Sequence, residues 1–312
     1  MTSAVVFGYG DVGVRCLATV LARGVGVPLV VTHEDDPAET LWYQSLAQFA
    51  RDRDIEVMTA ETSDATQITA RVAALAPDFI FSFYYRRMLP QALLLLASRG
   101  ALNMHGSLLP HFRGRAPINW AVLQGATETG ATLHYMVAKP DAGAIVAQRA
   151  VPILPDDTAL DVFRKVCSAA ELVLHGALPR LINGAVEPVQ QNLAAGSYFG
   201  ARRPDDGIID WSQSSRCIHN LVRAVAPPFP GARTEIDGHP ARILRTLQAP
   251  QIAHHYARPV MFAHGERCYA ECGDGHSLRL LSIEIDGAPV DPVMLARQLA
   301  KRPIDLPLRV KA

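Results

Sequence analysis

At 312 residues the chain is long enough for about two domains, and 49% hydrophobic with 19% charged residues supports a large core and excludes disorder or a collagen-like repeat. Thirty Lys plus Arg balance thirty Asp plus Glu, so the net charge of 0 supplies no global field for nucleic acid or an anionic membrane. There is no basic, apolar leader and no run of about 18 apolar residues, which makes the cytoplasm the expected location, and the odd set of five scattered cysteines fits reduced thiols.

Ala4-Val5-Val6-Phe7-Gly8 reads as a buried strand, and Asp11 to Ala22 as a helix with Val14, Leu17, Ala18 and Leu21 on its apolar face. Val27 to Thr32 is a second strand, closed by His33-Glu34-Asp35-Asp36-Pro37. A helix near Trp42 to Arg53, a strand at Ile55 to Met58, a helix near Asp64 to Ala76 and an apolar strand at Asp78 to Phe83 follow. Next come a helix from Pro90 to Ala97 and a strand from Ala101 to His105. Strands alternating with helices imply an α/β domain with a doubly wound, mostly parallel sheet of Rossmann-like type. Thr129 to Met136 and Ala144 to Ile153 extend it as strands, and Thr158 to Ile182 is a long amphipathic helix stopped by Asn183-Gly184. Periodicity is lost over 189–204, giving a first domain at 1–188, a linker at 189–204 and a second domain at 205–312. After a helix at Ser212 to Ala224, the short strands Arg233 to Ile236, Ala241 to Thr246, Arg267 to Cys272 and Leu278 to Ile285 predict a small OB-like β-barrel.

Gly8-Tyr9-Gly10-Asp11-Val12-Gly13 matches G-x-G-x-x-G between strand and helix, which suits a pyrophosphate and taken alone suggests an NAD-dependent oxidoreductase. The acidic residues expected about 20 positions on come late, at Glu34 and Asp35 before Pro37. Glycine is also what a tight turn under a packed helix needs in any such sheet. Asn103 and His105, two apart at the C-terminal end of a strand, point the same way and combine an amide donor with an imidazole that titrates near neutrality. The loop His111-Phe112-Arg113-Gly114-Arg115-Ala116-Pro117 brings two guanidinium groups suited to a phosphate or carboxylate. Asp141, in Lys139-Pro140-Asp141-Ala142-Gly143, sits in a turn from which it can orient His105 and raise its pKa. His264, Cys268, Cys272 and His276 recur every four residues as zinc ligands can, yet Gly273-Asp274-Gly275 breaks any helix, so Cys268 and Cys272 read as core residues and no metal is expected. Trp42, Trp120 and Trp211 read as packing residues.

Asn103-Met104-His105-Gly106-Ser107-Leu108-Leu109-Pro110, the following Arg-Gly-Arg-Ala-Pro, Thr127 to Leu133 and Asp141-Ala142-Gly143 resemble the signature of the 10-formyltetrahydrofolate-dependent formyltransferases. Similarity continues through Phe199-Gly200-Ala201-Arg202-Arg203-Pro204 and His219 to Val225 as far as Cys272-Gly273-Asp274-Gly275, nearly the whole chain. Phe81-Ser82-Phe83-Tyr84-Tyr85-Arg86 is most similar to the branch that formylates UDP-4-amino-4-deoxy-L-arabinose in lipid A modification and polymyxin resistance. That branch carries a second, dehydrogenase domain, and without one this chain is expected to be a free-standing formyltransferase. The resemblance implies Asn103, His105 and Asp141 as the catalytic trio. It places Arg87, Met88, Leu89, Arg115 and the stretch Val137, Ala138, Lys139, Pro140 and Asp141 around 10-formyltetrahydrofolate. Arg202, Arg203 and Arg223 are candidates for the diphosphate of the acceptor.

In this reading Asn103 and a protonated His105 donate to the developing oxyanion, His105 carries the proton, and no metal is needed. Methionyl-tRNA formyltransferase shares the chemistry but needs a basic surface. The second domain balances its charges and has no cluster of four basic residues, so no nucleic-acid partner is expected. The expected partners are a small UDP-amino sugar and folate, without stable membrane association.

Overall fold

In the computed structural model, which describes residues 1–35, 42–249, 252 and 256–308, the first apolar run forms strand β1 (Ser3–Gly8), with Val5 and Val6 fully buried. It leads into α1 (Gly10–Ala22), β2 (Gly26–Thr32), α2 (Leu46–Arg51), β3 (Glu56–Thr59), α3 (Ala65–Leu75), β4 (Phe79–Phe83), α4 (Gln91–Leu94) and β5 (Ala101–His105). Then come β6 (Arg113–Gly114), α5 (Pro117–Leu123), β7 (Glu128–Tyr135), β8 (Ile145–Pro152), α6 (Ala159–Ile182) and β9 (Tyr198–Phe199). The polar residues Asp36 and Pro37 of the sequence reading lie outside the described residues.

The chain divides into two units: Met1–Pro117, Glu128–Pro152 and Phe163–Gly200 in the first, and Ile118–Thr127, Ile153–Val162 and everything from Ala201 onward in the second. Of the segment 189–204, residues up to Gly200 fall in the first unit, where Val189 bridges Ile145 and β9 pairs with β6.

The first unit is an α/β sheet ordered β3-β2-β1-β4-β5-β7-β8. β1 to β5 pair in parallel because each returns through a helix. β7 and β8 are antiparallel, joined by the turn at 136–144, so the sheet is mixed at this edge. Both faces are buried, as a helix-covered sheet requires. Phe79, Phe81 and Phe83 stack at 5.6 Å spacings on one face, while Ile80 packs on the other with Val5, Phe7, Leu29, Val31, Ile68 and Val72. Strand order reverses beside β1, whose neighbours are β2 and β4, and the carboxyl ends of such strands are where ligands bind in open α/β sheets.

The second unit adds α7 (Ser215–Ala224), β10 (Ala232–Ile236), β11 (His239–Ala249), β12 (Val260–His264), β13 (Arg267–Glu271), β14 (Ser277–Ile285), β15 (Ala288–Val290), α8 (Pro292–Leu299) and β16 (Ile304–Asp305). Its antiparallel sheet runs β10-β11-β14-β13-β12-β16, a curled half-barrel with β10 and β16 at its ends. Trp211, Ile218, Val222, Met261, Leu278 and Leu295 fill its core together with Cys268 and Cys272, which pack as small hydrophobes. Trp211 is fully buried and donates its Nε1–H to Thr234 Oγ1 at 2.8 Å. No helix among the described residues is long and apolar enough to cross a membrane.

Candidate active site

Strand β5 ends on Asn103-Met104-His105, and the pleat turns Asn103 and His105 to one face while Met104 goes to the opposite core. Its antiparallel neighbour β7 places His134 directly opposite Asn103. The turn after β7 brings back Asp141, so residues of β5, β7 and that turn meet in the first unit. Asp141 Oδ1 lies 3.6 Å from His105 Nδ1 and 3.6 Å from His134 Nε2, and Asp141 Oδ2 accepts from the Gly114 N–H at 2.9 Å. His105 donates from Nε2 to the Phe112 carbonyl at 2.8 Å, which leaves Nδ1 as the nitrogen facing Asp141. His134 donates from Nδ1 to the Tyr135 carbonyl at 2.8 Å, and its Nε2 accepts from Asn103 Nδ2 at 3.2 Å.

Burial pulls the His105 pKa below the ordinary imidazole value, although the Asp141 carboxylate and the Phe112 carbonyl both oppose the shift. The imidazole is therefore neutral near pH 7, not protonated as the sequence reading expects. With Nε2–H committed to Phe112, its free base site is Nδ1. Burial also acts on Asp141, pushing its pKa up, but His105, His134 and the Gly114 N–H outweigh it and bring the carboxyl down to about 2. A permanent carboxylate thus stands beside an imidazole that can take up and release a proton.

These residues open on a cavity of about 440 Å³, lined also by Tyr84, Tyr85, Arg86, Arg87, Met88, Leu89, Arg115, Val137 and Pro140. Of the residues expected around the folate, Ala138 and Lys139 are exposed and do not line it. Met88 and Val137, among its lining residues, are exposed apolar side chains, 69% and 46% accessible. Tyr84, Phe112, Ala116 and Asp141 all hold left-handed backbone, with φ of 62°, 54°, 50° and 51°. Such strain persists only where surroundings impose it, and here it gathers in the loops around one cavity.

The three arginines proposed for the acceptor are not part of this cavity's lining; they belong to the second unit. Arg223 is buried, with Nε on Asn220 Oδ1 and its other nitrogens on the carbonyls of Leu154, Asp157 and Val122. That pattern makes it a structural clamp. Arg202 donates to the Asp206 carbonyl and lies 5.2 Å over the Trp120 ring, and the backbone N–H of Arg203 donates to Asp206 Oδ2.

The glycines of the first turn have a packing reason. A Cβ on Gly8 or Gly13 would stand 2.8 or 3.0 Å from Leu46 Cδ2, and Gly10 has φ +57°. Asp11 Oδ1 at the start of α1 already accepts from the Gln44 N–H. We expect no rise in Tm with NAD or NADP at micromolar concentration, measured by thermal shift. A saturable shift with either would give the motif a ligand after all.

His134 is the site residue that the sequence reading missed. Its partnership with Asn103 depends on the β5–β7 register, and the only local signal is a histidine at the end of an apolar strand.

Residues 3–178 match the family described as Formyl transferase, and residues 202–299 match Formyl transferase, C-terminal domain. Among solved structures, the chain is similar to an N-formyltransferase from Helicobacter canadensis in complex with folinic acid and dTDP-3-aminofucose, at 23% identity and TM-score 0.71 over 90% of this chain and 99% of that one. WlaRD, a sugar 3-N-formyltransferase determined with dTDP and 5-N-formyl-THF, gives 20% identity and TM-score 0.70 over 90% and 97%. A sugar N-formyltransferase from a Shewanella species gives 20% and 0.61 over 78% and 96%.

Proposed function

The chain belongs to the formyl transferase family, and from that membership we propose that it moves the formyl group of 10-formyltetrahydrofolate to the 4-amino group of a UDP-amino sugar, UDP-4-amino-4-deoxy-L-arabinose. The observation that carries this reading is the convergence of Asn103, His105 and Asp141 on one cavity whose lining includes the exposed Met88 and Val137. The folate and sugar-nucleotide ligands of the structural relatives support the substrate class.

The sugar amine attacks the formyl carbon, forming the new C–N bond while the carbonyl electron pair moves to oxygen. Asn103 Nδ2–H faces that oxygen as charge develops. The pair then returns, the bond to N10 breaks, and the proton lost by the attacking nitrogen reaches N10. Neutral His105 takes that proton at Nδ1 and passes it on, and the fixed Asp141 carboxylate stabilises the imidazolium between the two events. Arg87 and Arg115, at the rim, suit the glutamate carboxylates of a folate.

Given 10-formyltetrahydrofolate, the protein is expected to formylate UDP-4-amino-4-deoxy-L-arabinose and to leave methionyl-tRNA almost untouched, because a tRNA needs a broad basic surface that a net charge of 0 does not provide. Assays of both acceptors, with dTDP-3-aminofucose alongside, check this at two salt concentrations. Preference for the dTDP sugar would change the assigned nucleotide. Efficient, steeply salt-sensitive formylation of tRNA would replace the acceptor class.

A further inference from the structure

We infer that Gln191 is a positioning residue that sets the pose of the Asp141 carboxylate from a segment whose sequence reads as a linker. Its side-chain amide donates both hydrogens to the catalytic turn, to the Asp141 carbonyl at 2.9 Å and the Gly143 carbonyl at 2.6 Å. Only this orientation of the amide works, because the flipped one would set Oε1 against two carbonyl oxygens. Oε1 itself is buried and has no hydrogen-bond partner, so the side chain is held for its two donors alone.

The turn needs such a hold. Asp141 lies in the left-handed region at φ +51°, which is uncommon for any residue with a Cβ even though Asp tolerates it better than most. Beside it Gly143 presses on β7 so closely that a Cβ there would fall 1.8 Å from the Tyr135 carbonyl oxygen. On the other side Val189 and Ile145 exchange two backbone hydrogen bonds at 2.8 Å, and this bridge delivers Gln191 to the turn. The backbone of Asp141 is thus gripped by Gln191 while its carboxylate faces His105, His134 and the Gly114 N–H. Without the amide, two carbonyls lose their donor and the turn is free to relax, which withdraws the carboxylate from His105 Nδ1.

The kinetic arm of the test rests on the formyl-transfer reading, whereas the spectroscopic arm does not. In Gln191→Met, of similar length but without donors, kcat is expected to fall roughly 10- to 100-fold, the cost of about an ångström of misplacement, with KM for both substrates near the wild-type value. NMR titration of labelled histidines in the ligand-free protein should show the His105 pKa moving further down, since the Asp141 carboxylate is the larger of the two groups that oppose the burial. In an Asp141→Ala background, Gln191→Met should cost no further activity. A wild-type His105 titration in folded Gln191→Met, or a full additional loss in the Asp141→Ala background, overturns the inference. Gln191→Asn keeps the amide one methylene shorter and serves if the Met variant does not fold; it should shift His105 less but in the same direction, and no shift there overturns it equally. If the wild-type protein transfers no formyl group, the functional reading fails, and the His105 titration still decides the role of Gln191.

Discussion

His105→Ala is expected to lower kcat by roughly 10²- to 10⁴-fold, the usual contribution of a positioned general acid–base, while the folded state persists. The variant removes the imidazole whose Nδ1 faces Asp141 and which is placed to change protonation during transfer. Asp141 is fixed as an anion and cannot replace it. The fold is expected to tolerate the change because His105 ends β5, the Phe112 carbonyl that it bonds also has Ser107 Oγ at 3.5 Å, and Asp141 keeps the Gly114 N–H and His134. The pH dependence carries the sign of the mechanism. Burial holds the His105 pKa below the usual imidazole value, so the neutral base is the form present at pH 7. In the wild type, kcat/KM should fall on the acid side as His105 becomes protonated in the free enzyme. The alanine variant should lose that limb along with the rate. Near-normal turnover with the acid limb intact would remove His105 from the mechanism.

Much of the first unit is legible in the sequence because hydrophobic period and helix spacing are local. Strand Ala101 to His105 is found with its predicted bounds, and α3 starts where Asp64 and Gln67 form a capping box. The antiparallel edge is harder to read, since β7 has the apolar content of a parallel strand and only the turn at 136–144 reverses it. In the second unit, β12, β15, β16 and α8 are absent from the sequence reading. β16 has only two residues and no period to detect, whereas α8 had a usable signal in Asp291-Pro292, an N-cap followed by proline in the first turn. Asn103, His105 and Asp141 stand out because a known signature surrounds them. His134 and Gln191 do not, because one acts through strand register and the other through a reach of 50 residues to a turn. Arg223 stands in a conspicuous motif, yet it is buried and its hydrogen-bond partners are local: Asn220 Oδ1 and the carbonyls of Leu154, Asp157 and Val122, with the Asp157 and Asp156 carboxylates acting on its charge.

Asn103→Ala is expected to cost on the order of 10²- to 10³-fold in kcat, the range measured when one oxyanion donor is removed. The side chain is held before substrate arrives: one Nδ2 hydrogen goes to His134 Nε2 at 3.2 Å, and His134 is itself pinned by its Nδ1–H to the Tyr135 carbonyl. The second Nδ2 hydrogen is left for the cavity. A neutral formyl oxygen accepts it weakly, and an oxyanion accepts it strongly, so the interaction grows as the tetrahedral centre forms and appears in kcat rather than KM. Steady-state kinetics with both substrates varied separates these outcomes, and a loss confined to KM would make Asn103 a ground-state binding group instead. The pH profile separates Asn103 from its neighbour. Asn103 does not titrate, so the acid limb set by His105 should survive in Asn103→Ala at a lower plateau, whereas His105→Ala removes it. The two side chains are two residues apart on one strand and share one cavity, yet these variants should differ in profile as well as in rate. A limb lost in both would mean that Asn103 acts by holding the imidazole network together through His134, with the oxyanion stabilised elsewhere.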